Sequence, residues 1–581
     1  MAERDGGAII GEVLARRGVQ HLFTLCGGHI SPILVGAKNH GIKIVDVRDE
    51  VSAVFAADAS ARMTGIPGIA AVTAGPGVTN TVTAVKNAQM AQSPLVIFGG
   101  ATPTLLKGRG SLQDIDQMSL MKPITKWTTT IKQLSSLAPT VEKALDLACD
   151  GVPGPVFIEV PVDLLYSESM VREMYMTESG VQNAAGIGAK ALELYLRGHL
   201  YRQFHAPHVP LELPFPSMKL PRVRSSGTVE EAARALQNAQ RPALVIGSQA
   251  LVNMRDAGPL AEAVEALGIP TFLGGMARGL LGRTSEIQFR HKRSKALREA
   301  DVVVVAGFPF DFRMKYGRAI SSKATLIAAN LSSVDLRKNR KPEIALEMHP
   351  GTFLQELAGA AGALPRREDW FATLREREDA RDAEIVEQAK ASSELVNPLA
   401  FFLELERQLE DDSVLVVDGG DFVATCAYIV RPRKPLSWLD PGVFGTLGVG
   451  GGFTVGAGMC RPNAQTWLIY GDGSSAYSLA EFDTCARHGL APIAVIGTDG
   501  EWAQIAREQV PMLGDDVGCI LARTDYHKVA EGYGGAGLLL TDPSKIGETL
   551  AEAKRIASTG KPVCINVHIA KSDFRKGSIS M

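Results

Sequence analysis

Several features that would announce a membrane, secreted or nucleic-acid-binding protein are missing from this chain. No run reaches the roughly 18 apolar residues that a membrane-spanning helix needs. The seven cysteines (Cys26, Cys149, Cys426, Cys460, Cys485, Cys519 and Cys564) are scattered, with no CxxC pair. That argues against a disulfide scaffold and a thiolate metal site, and for a reducing compartment. The formal net charge is only −2, so a nucleic-acid partner has no bulk electrostatic support. The stretch 225–365 carries no GxGxxG fingerprint, so a dinucleotide reading there lacks a motif of its own. The opening MAERDGGAIIGEVLARRG sets charges too close to its short apolar stretch for a signal peptide. The final residues, Gly577 to Met581, are not the Ser-Lys-Leu address. The expectation is a soluble, cytoplasmic protein with neither a membrane nor a nucleic-acid partner.

What the chain does have is length, glycine and repeated alternation. At 581 residues it is too long for one average domain, and three is the natural expectation. Its 59 glycines suggest many turns and close ligand approaches. Apolar runs of strand length alternate with helical stretches from Val19–Leu25 through Ile42–Val47, Ile69–Thr73, Pro94–Gly99 and Pro155–Val160. The pattern resumes at Pro242–Ile246, Pro270–Leu273, Ala300–Ala306 and Ala324–Ala329. It does so again at Val414–Val417, Leu468–Tyr470, Ile493–Ile496 and Pro562–Val567. Strands alternating with helices predict α/β domains with parallel sheets covered on both faces. The predicted division is a first domain over 1–165, a proline-containing, partly helical connector over 166–224 and a central domain over 225–365. A charged, solvated helical connector over 366–389, a last domain over 390–570 and a short basic tail over 571–581 follow.

Residues 466 to 503 carry the densest chemistry. An apolar run leads into Gly471-Asp472-Gly473-Ser474, a helical stretch follows to His488, and a second apolar run leads into Gly497-Thr498-Asp499-Gly500-Glu501. Both loops then lie at the carboxyl ends of parallel strands, where open α/β sheets bind ligands. Asp472 and Asp499 are hard oxygen donors of the kind Mg²⁺ takes together with phosphate oxygens. Two plain Gly/Asp turns are the alternative.

This stretch resembles the signature of the thiamine diphosphate-dependent enzymes, with Thr498-Asp499 where the family has Asn-Asn. Trp502, Gln504, Ile505 and the run Arg507 to Val510 are similar to the branch that holds 2-hydroxyacyl-CoA lyases and acetolactate synthases. The resemblance extends to Gly75-Pro76-Gly77-Val78-Thr79-Asn80 and to Phe444 through Gly452. It implies three Rossmann-like doubly wound domains, binding respectively the pyrimidine, a nucleotide or CoA, and the diphosphate with Mg²⁺. It also implies a homo-oligomer, dimer or tetramer, with sites built between subunits. Asp472, the side chain at Asp499 and the backbone carbonyl of Glu501 become the metal ligands. Gly473, Ser474 and Asp421 lie on loops beside the diphosphate. Glu50 becomes the carboxylate set against the pyrimidine ring. Gly445 accepts from the pyrimidine amine, and Leu447 wedges the cofactor.

Other positions stay open between two roles. Gly77 permits close backbone approach, while Asn80 either faces the cofactor or caps the next helix. Gln113 is an active-site amide or a surface loop residue. His29 meets substrate as neutral imidazole or is structural. Arg278 and Arg313 contact phosphates of CoA or ADP, or make surface salt bridges; FAD in the central domain is a further possibility. Lys571, Arg575 and Lys576 belong to a lid over acyl-CoA or to a frayed end. The reaction implied is cleavage of a 2-hydroxyacyl-CoA to formyl-CoA and an aldehyde, reversible as condensation with an aldehyde or ketone. Alternatives are a carboligase acting on 2-oxo acids, an oxalyl-CoA decarboxylase, or a catalytically silent nucleotide-binding protein.

Overall fold

The computed structural model describes residues 5–181, 186–205 and 227–576. The connector prolines Pro207, Pro210, Pro214, Pro216 and Pro221, and the end of the chain from Gly577, lie outside the described residues. Three six-stranded sheets form among the described residues. The first runs Lys43–Asp46, His21–Thr24, Gly68–Val72, Leu95–Ala101, Pro155–Pro161, Trp127–Thr130. The second runs Ile344–Leu346, Thr325–Ala329, Val302–Ala306, Pro242–Ile246, Thr271–Leu273, Gln288–Phe289. The third runs Trp438–Leu439, Val414–Val417, Thr466–Gly471, Ile493–Thr498, Val563–His568, Ala536–Leu540. Neighbouring strands within each sheet are parallel. The chain falls into two compact units, one built on the first sheet and one on the second and third.

Interior strands such as Val302–Ala306 and Ile493–Thr498 are buried at every position. That is why they read as unbroken apolar runs, since a parallel strand sandwiched by helices has two dry faces. Each sheet has its own core, represented by Leu22, Val96 and Ile158 in the first, Val304, Phe353 and Leu357 in the second, and Trp467, Ile469 and Ile565 in the third. Among the described residues no helix is long and apolar enough to cross a membrane.

Two sequence expectations need correction. The charged run after Arg366 forms one helix, Glu368–Ala389, but it is not simply solvated. Trp370, Phe371 and Leu374 enter the core of the second sheet, and Ile385 enters that of the third. The Trp370 indole donates to the carbonyl of Pro242 at 3.0 Å. The helical stretch to His488 is two pieces, Asp472–Ser475 and Glu481–His488. The turns between them let the first piece end beside its strand while the second packs against the glycine-rich helix Val449–Cys460.

Candidate active site

In the first unit the site residues converge at the carboxyl ends of the strands. Glu50 opens helix Glu50–Thr64, just after Lys43–Asp46, and is 7% exposed. Its Oε2 accepts a hydrogen bond from Asn80 Nδ2 at 3.0 Å. Asn80 ends the short helix Pro76–Asn80, and Thr81, not Asn80, is the N-cap of the next. Its amide serves Glu50, so the capping role is the one overturned. A Cβ at Gly77 would lie 2.9 Å from Thr73 Cγ2 and 3.5 Å from Glu50 Oε1. This glycine therefore keeps the turn close to the carboxylate.

His29, Thr73 and Gln113 form a second group. His29 Nδ1 lies 3.3 Å from Thr73 Oγ1, which donates to Gln113 Oε1 at 3.5 Å. Burial lowers the His29 pKa from its ordinary value, and the contact with Gln113 opposes the shift. The imidazole is thus held neutral at physiological pH, as an acceptor or a donor at its ring nitrogens. Gln113 has a left-handed φ of +64°, and it packs against Gly75, where a Cβ would come within 2.8 Å of the Gln113 carbonyl oxygen. Thr73 ties this group together, and the sequence marks it only as a strand end.

In the second unit Asp472 and Asp499 face one another at the ends of adjacent strands. Asp472 is 2% exposed. Its Oδ1 accepts from Gly473 N and its Oδ2 from Gly500 N, each at 2.8 Å. Asp499 Oδ1 accepts from Glu501 N at 3.1 Å. Burial first, and the neighbouring Asp472 charge second, push the Asp499 carboxyl up to about 7; burial also raises Asp472. Two carboxylates raised by burial, one of them also by the other's charge, are a donor set that fits a cation. A divalent ion relieves both. The loop is fastened by Trp502 N to Cys519 O and Leu521 N to Gly500 O, both 2.7 Å. Gly473 lies under the Trp502 ring, which a Cβ would meet at 2.4 Å. Ser474 Oγ donates back to Gly471 O at 3.2 Å. These residues fit a diphosphate held through a metal ion.

The adjoining loops are only partly as expected. Gly445 takes a left-handed φ of +65°, and the Leu447 side chain covers Gly419, where a Cβ would fall 2.3 Å from Leu447 Cδ2. Asp421 is held in an ion pair with Arg507. The carboxylate that organises this corner is Asp418, 2% exposed and pushed up to about 7 by burial. It accepts from Gly448 N at 3.1 Å and Gly450 N at 2.8 Å, and so fixes the start of helix Val449–Cys460.

Asp421, Asp499, Glu501 and Arg507 open onto a cleft of about 910 Å³ that Lys571, Arg575 and Lys576 also line. Lys571 Nζ donates to Glu501 Oε2 at 2.7 Å. Phe574 meets Tyr428 edge-on with centroids 5.6 Å apart, and the Arg575 guanidinium lies 5.2 Å from the same ring. The tail is therefore docked as far as it is described. Tyr428 also lines a second cleft, of about 760 Å³. Eight cations line it (Arg278, Arg290, Lys292, Arg293, Lys295, Arg298, Arg381 and Arg431) and, among the described residues, no carboxylate does, although Arg290, Arg381 and Arg431 are paired with Glu378, Asp382 and Glu384 behind the lining. Arg278 donates to Ala427 O at 2.9 Å and lies 5.0 Å from the centre of the Trp438 ring. Arg313 is outside this cleft, forked onto Asp311 with a shortest contact of 2.6 Å, so it takes the salt-bridge role. His291, Glu378 and Asp382 cluster within 4.8 Å, but Arg290 and Arg431 already neutralise those carboxylates.

Comparison with known proteins assigns the family. Residues 4–120, 229–357 and 418–567 match the N-terminal TPP binding, central and C-terminal TPP binding domains of thiamine pyrophosphate enzymes. A 2-hydroxyacyl-CoA lyase 2 of Danio rerio is 47% identical, over 100% of this chain and 94% of its own length. The Homo sapiens protein of that name is 46% identical, over 100% and 92%. An acetolactate synthase large subunit of Mycobacterium tuberculosis is 32% identical, over 97% and 95%. Among solved structures, a thiamine diphosphate-dependent 4-hydroxybenzoylformate decarboxylase of Rhodococcus jostii shares the fold. Its TM-score is 0.77 at 20% identity, covering 98% of this chain and 100% of that one. With both carboxylate sites, the glycine turns and these full-length matches in agreement, the chain belongs to the thiamine pyrophosphate enzymes.

Proposed function

We propose that this chain is a 2-hydroxyacyl-CoA lyase that uses thiamine diphosphate and Mg²⁺. The observation that carries the acyl-CoA reading is the cleft lined by eight cations, whose positive charge exceeds the negative charge of the carboxylates Glu378, Asp382 and Glu384 paired with Arg290, Arg381 and Arg431 behind its lining. A CoA nucleotide brings several phosphate charges that such a cleft attracts, whereas a small 2-oxo acid has no use for it. Tyr428 lies between this cleft and the one beside Asp499. A pantetheine arm reaching past it runs from the nucleotide cleft toward the metal loops. Free ADP is expected to compete for the same cations.

When bound, the thiamine group supplies a nucleophilic carbon for attack on the thioester carbonyl. Asp472, Asp499 and the Glu501 carbonyl hold the metal and, through it, the diphosphate; Gly473 and Ser474 leave room for the phosphate oxygens. Gly445 and Leu447 orient the cofactor. Glu50, fixed at Oε2 by Asn80, holds and moves the activating proton at Oε1. His29, neutral and beside Thr73 and Gln113, accepts the proton of the substrate hydroxyl. Overall, the bond between C1 and C2 breaks and the hydroxyl oxygen becomes the aldehyde carbonyl. C1 leaves as formyl-CoA, so one proton passes from the hydroxyl to C1. The protein acts in the cytoplasm as a homodimer or homotetramer, a state taken from the family resemblance.

The test supplies thiamine diphosphate and Mg²⁺ and compares 2-hydroxyacyl-CoA, oxalyl-CoA and pyruvate. Formyl-CoA with aldehyde from the first supports the reading. Turnover of pyruvate alone, or of oxalyl-CoA alone, overturns it in favour of a carboligase or a decarboxylase. Cofactor binding with no turnover of any favours a silent protein.

A further inference from the structure

We propose that Gln117 is a positioning residue for Glu50: its amide, braced by Glu159, fixes the Gly75 turn from which Asn80 reaches the Glu50 carboxylate. The proposal rests on the reading of Glu50 as the cofactor's proton carrier. Gln117 is 2% exposed, and its three amide contacts all lie in the protein interior. Oε1 accepts from Gly75 N at 3.0 Å. Nε2 donates to Gly100 O at 3.0 Å and to Glu159 Oε1 at 3.1 Å. The amide has one orientation, because a main-chain donor faces its oxygen and two acceptors face its nitrogen.

Glu159 is 1% exposed and is itself held, by Lys107 and by Thr130 Oγ1 at 2.8 Å. From Gly75, whose φ is +61°, the chain passes directly into helix Pro76–Asn80. Any tilt of that turn moves the Asn80 amide away from Glu50 Oε2. Because Gln113 packs on the same glycine, one buried amide sets both the Glu50 group and the loop that brings Gln113 to Thr73.

Gln117→Glu is the discriminating variant. It keeps the acceptor for Gly75 N and replaces the donor with an oxygen aimed at two acceptors. Ionised, that oxygen repels Glu159 and Gly100 O; protonated, it donates as the amide does. The charged groups around it are Glu159 from strand Pro155–Pro161, Lys107 beyond Glu159, and Asp114 and Asp116 on its own loop. Asp116 is bound to Ser119, and Asp114 to Thr102 and Gly108. Glu50 lies further off, past Asn80. A buried carboxyl beside Glu159 titrates above the usual glutamate range. The protonated, competent form is therefore present at low pH and lost as pH rises.

Relative to wild type, kcat of Gln117→Glu is expected to fall about 10- to 100-fold near pH 8 and to recover toward about pH 6, with thiamine diphosphate Kd within about 3-fold. Gln117→Met is expected to lose activity without acid recovery. In the cofactor-free chain, amide hydrogen exchange over residues 73–80 is expected to be faster than wild type for Gln117→Glu near pH 8 and equal to it near pH 6. Wild-type exchange and kcat near pH 8, an equal loss at both pH values, or acid recovery in Gln117→Met overturns the proposal. The exchange measurement needs neither cofactor nor substrate, so it decides the matter even if the lyase reading fails.

Discussion

Replacing Asp499 by asparagine is expected to stabilise the metal-free protein and to weaken its response to Mg²⁺. The side chain keeps its size, and its Oδ1 can still accept from Glu501 N. What it loses is a charge that the fold opposes. The Asp499 carboxyl is raised from 3.8 to about 7, first by burial and then by Asp472. A group whose folded pKa exceeds its unfolded value binds more protons when folded. Its ionised form therefore penalises the fold as pH climbs, and the penalty is complete above the folded value. About three units at 1.36 kcal/mol each set a ceiling of about 4 kcal/mol. In chelator above pH 7, calorimetry should show Asp499→Asn melting above wild type. The gap should shrink as pH falls through 7 and vanish only below about pH 3, where aspartate is protonated in both states. Saturating Mg²⁺ with thiamine diphosphate should raise the wild-type midpoint more than the variant's. A metal-free variant no more stable than wild type above pH 7, or a gap that ignores pH, refutes the reasoning.

Glu50→Gln is expected to lower turnover by about 100-fold or more while thiamine diphosphate affinity, read by titration, stays within a few-fold. Asn80→Ala should cost about 10-fold, since it frees Glu50 Oε2 but leaves the carboxylate in place. Burial depresses the His29 pKa, so activity that needs the neutral ring should persist below the ordinary imidazole value and fall only as pH drops through the lowered one. In kcat/KM profiles His29→Asn should lack that limb. Lys295→Glu combined with Arg298→Glu should raise KM for the acyl-CoA at least about 10-fold, leave kcat unchanged, and flatten the salt dependence of KM.

The sheets were legible where strands are buried on both faces. Val302–Ala306 and Ile493–Thr498 announce themselves because no position on them meets water. The strands that sequence reading passes over are Trp127–Thr130, Gln288–Phe289, Ile344–Leu346, Trp438–Leu439 and Ala536–Leu540, and each is an edge of its sheet. An edge strand is short or half wet, so its residues need not be apolar. The site divides along a similar line. Glu50, Asp472 and Asp499 were readable as candidates because each sits beside a turn with a recognisable glycine or strand pattern. Thr73 and Gln117 were not, because they act through contacts across 40 and 42 positions of chain. Asp418 was passed over for Asp421 because both flank the same glycines. Only the backbone path of helix Val449–Cys460 shows which one turns inward.

The charge at position 499 has a structural context that an isolated comparison of loops does not reveal. Asp472, Asp499 and Glu501 place three carboxylates around one loop. Lys571 is bound to Glu501, so the tail neutralises the outermost of the three and, on the proposed Mg²⁺ reading, leaves the inner two to share the ion. An asparagine at 499 would leave the metal facing a single negative side chain. With aspartate, the pair matches the ion before any phosphate arrives, and the diphosphate charge must be met by other groups. Arg507 faces the same cleft but is held by Asp421, and Arg575 lies beside it on the tail. The tail thus contributes to the electrostatics of the metal loop at two points. On the proposed reading it serves the metal loop as a source of positive charge whether or not it also moves as a lid.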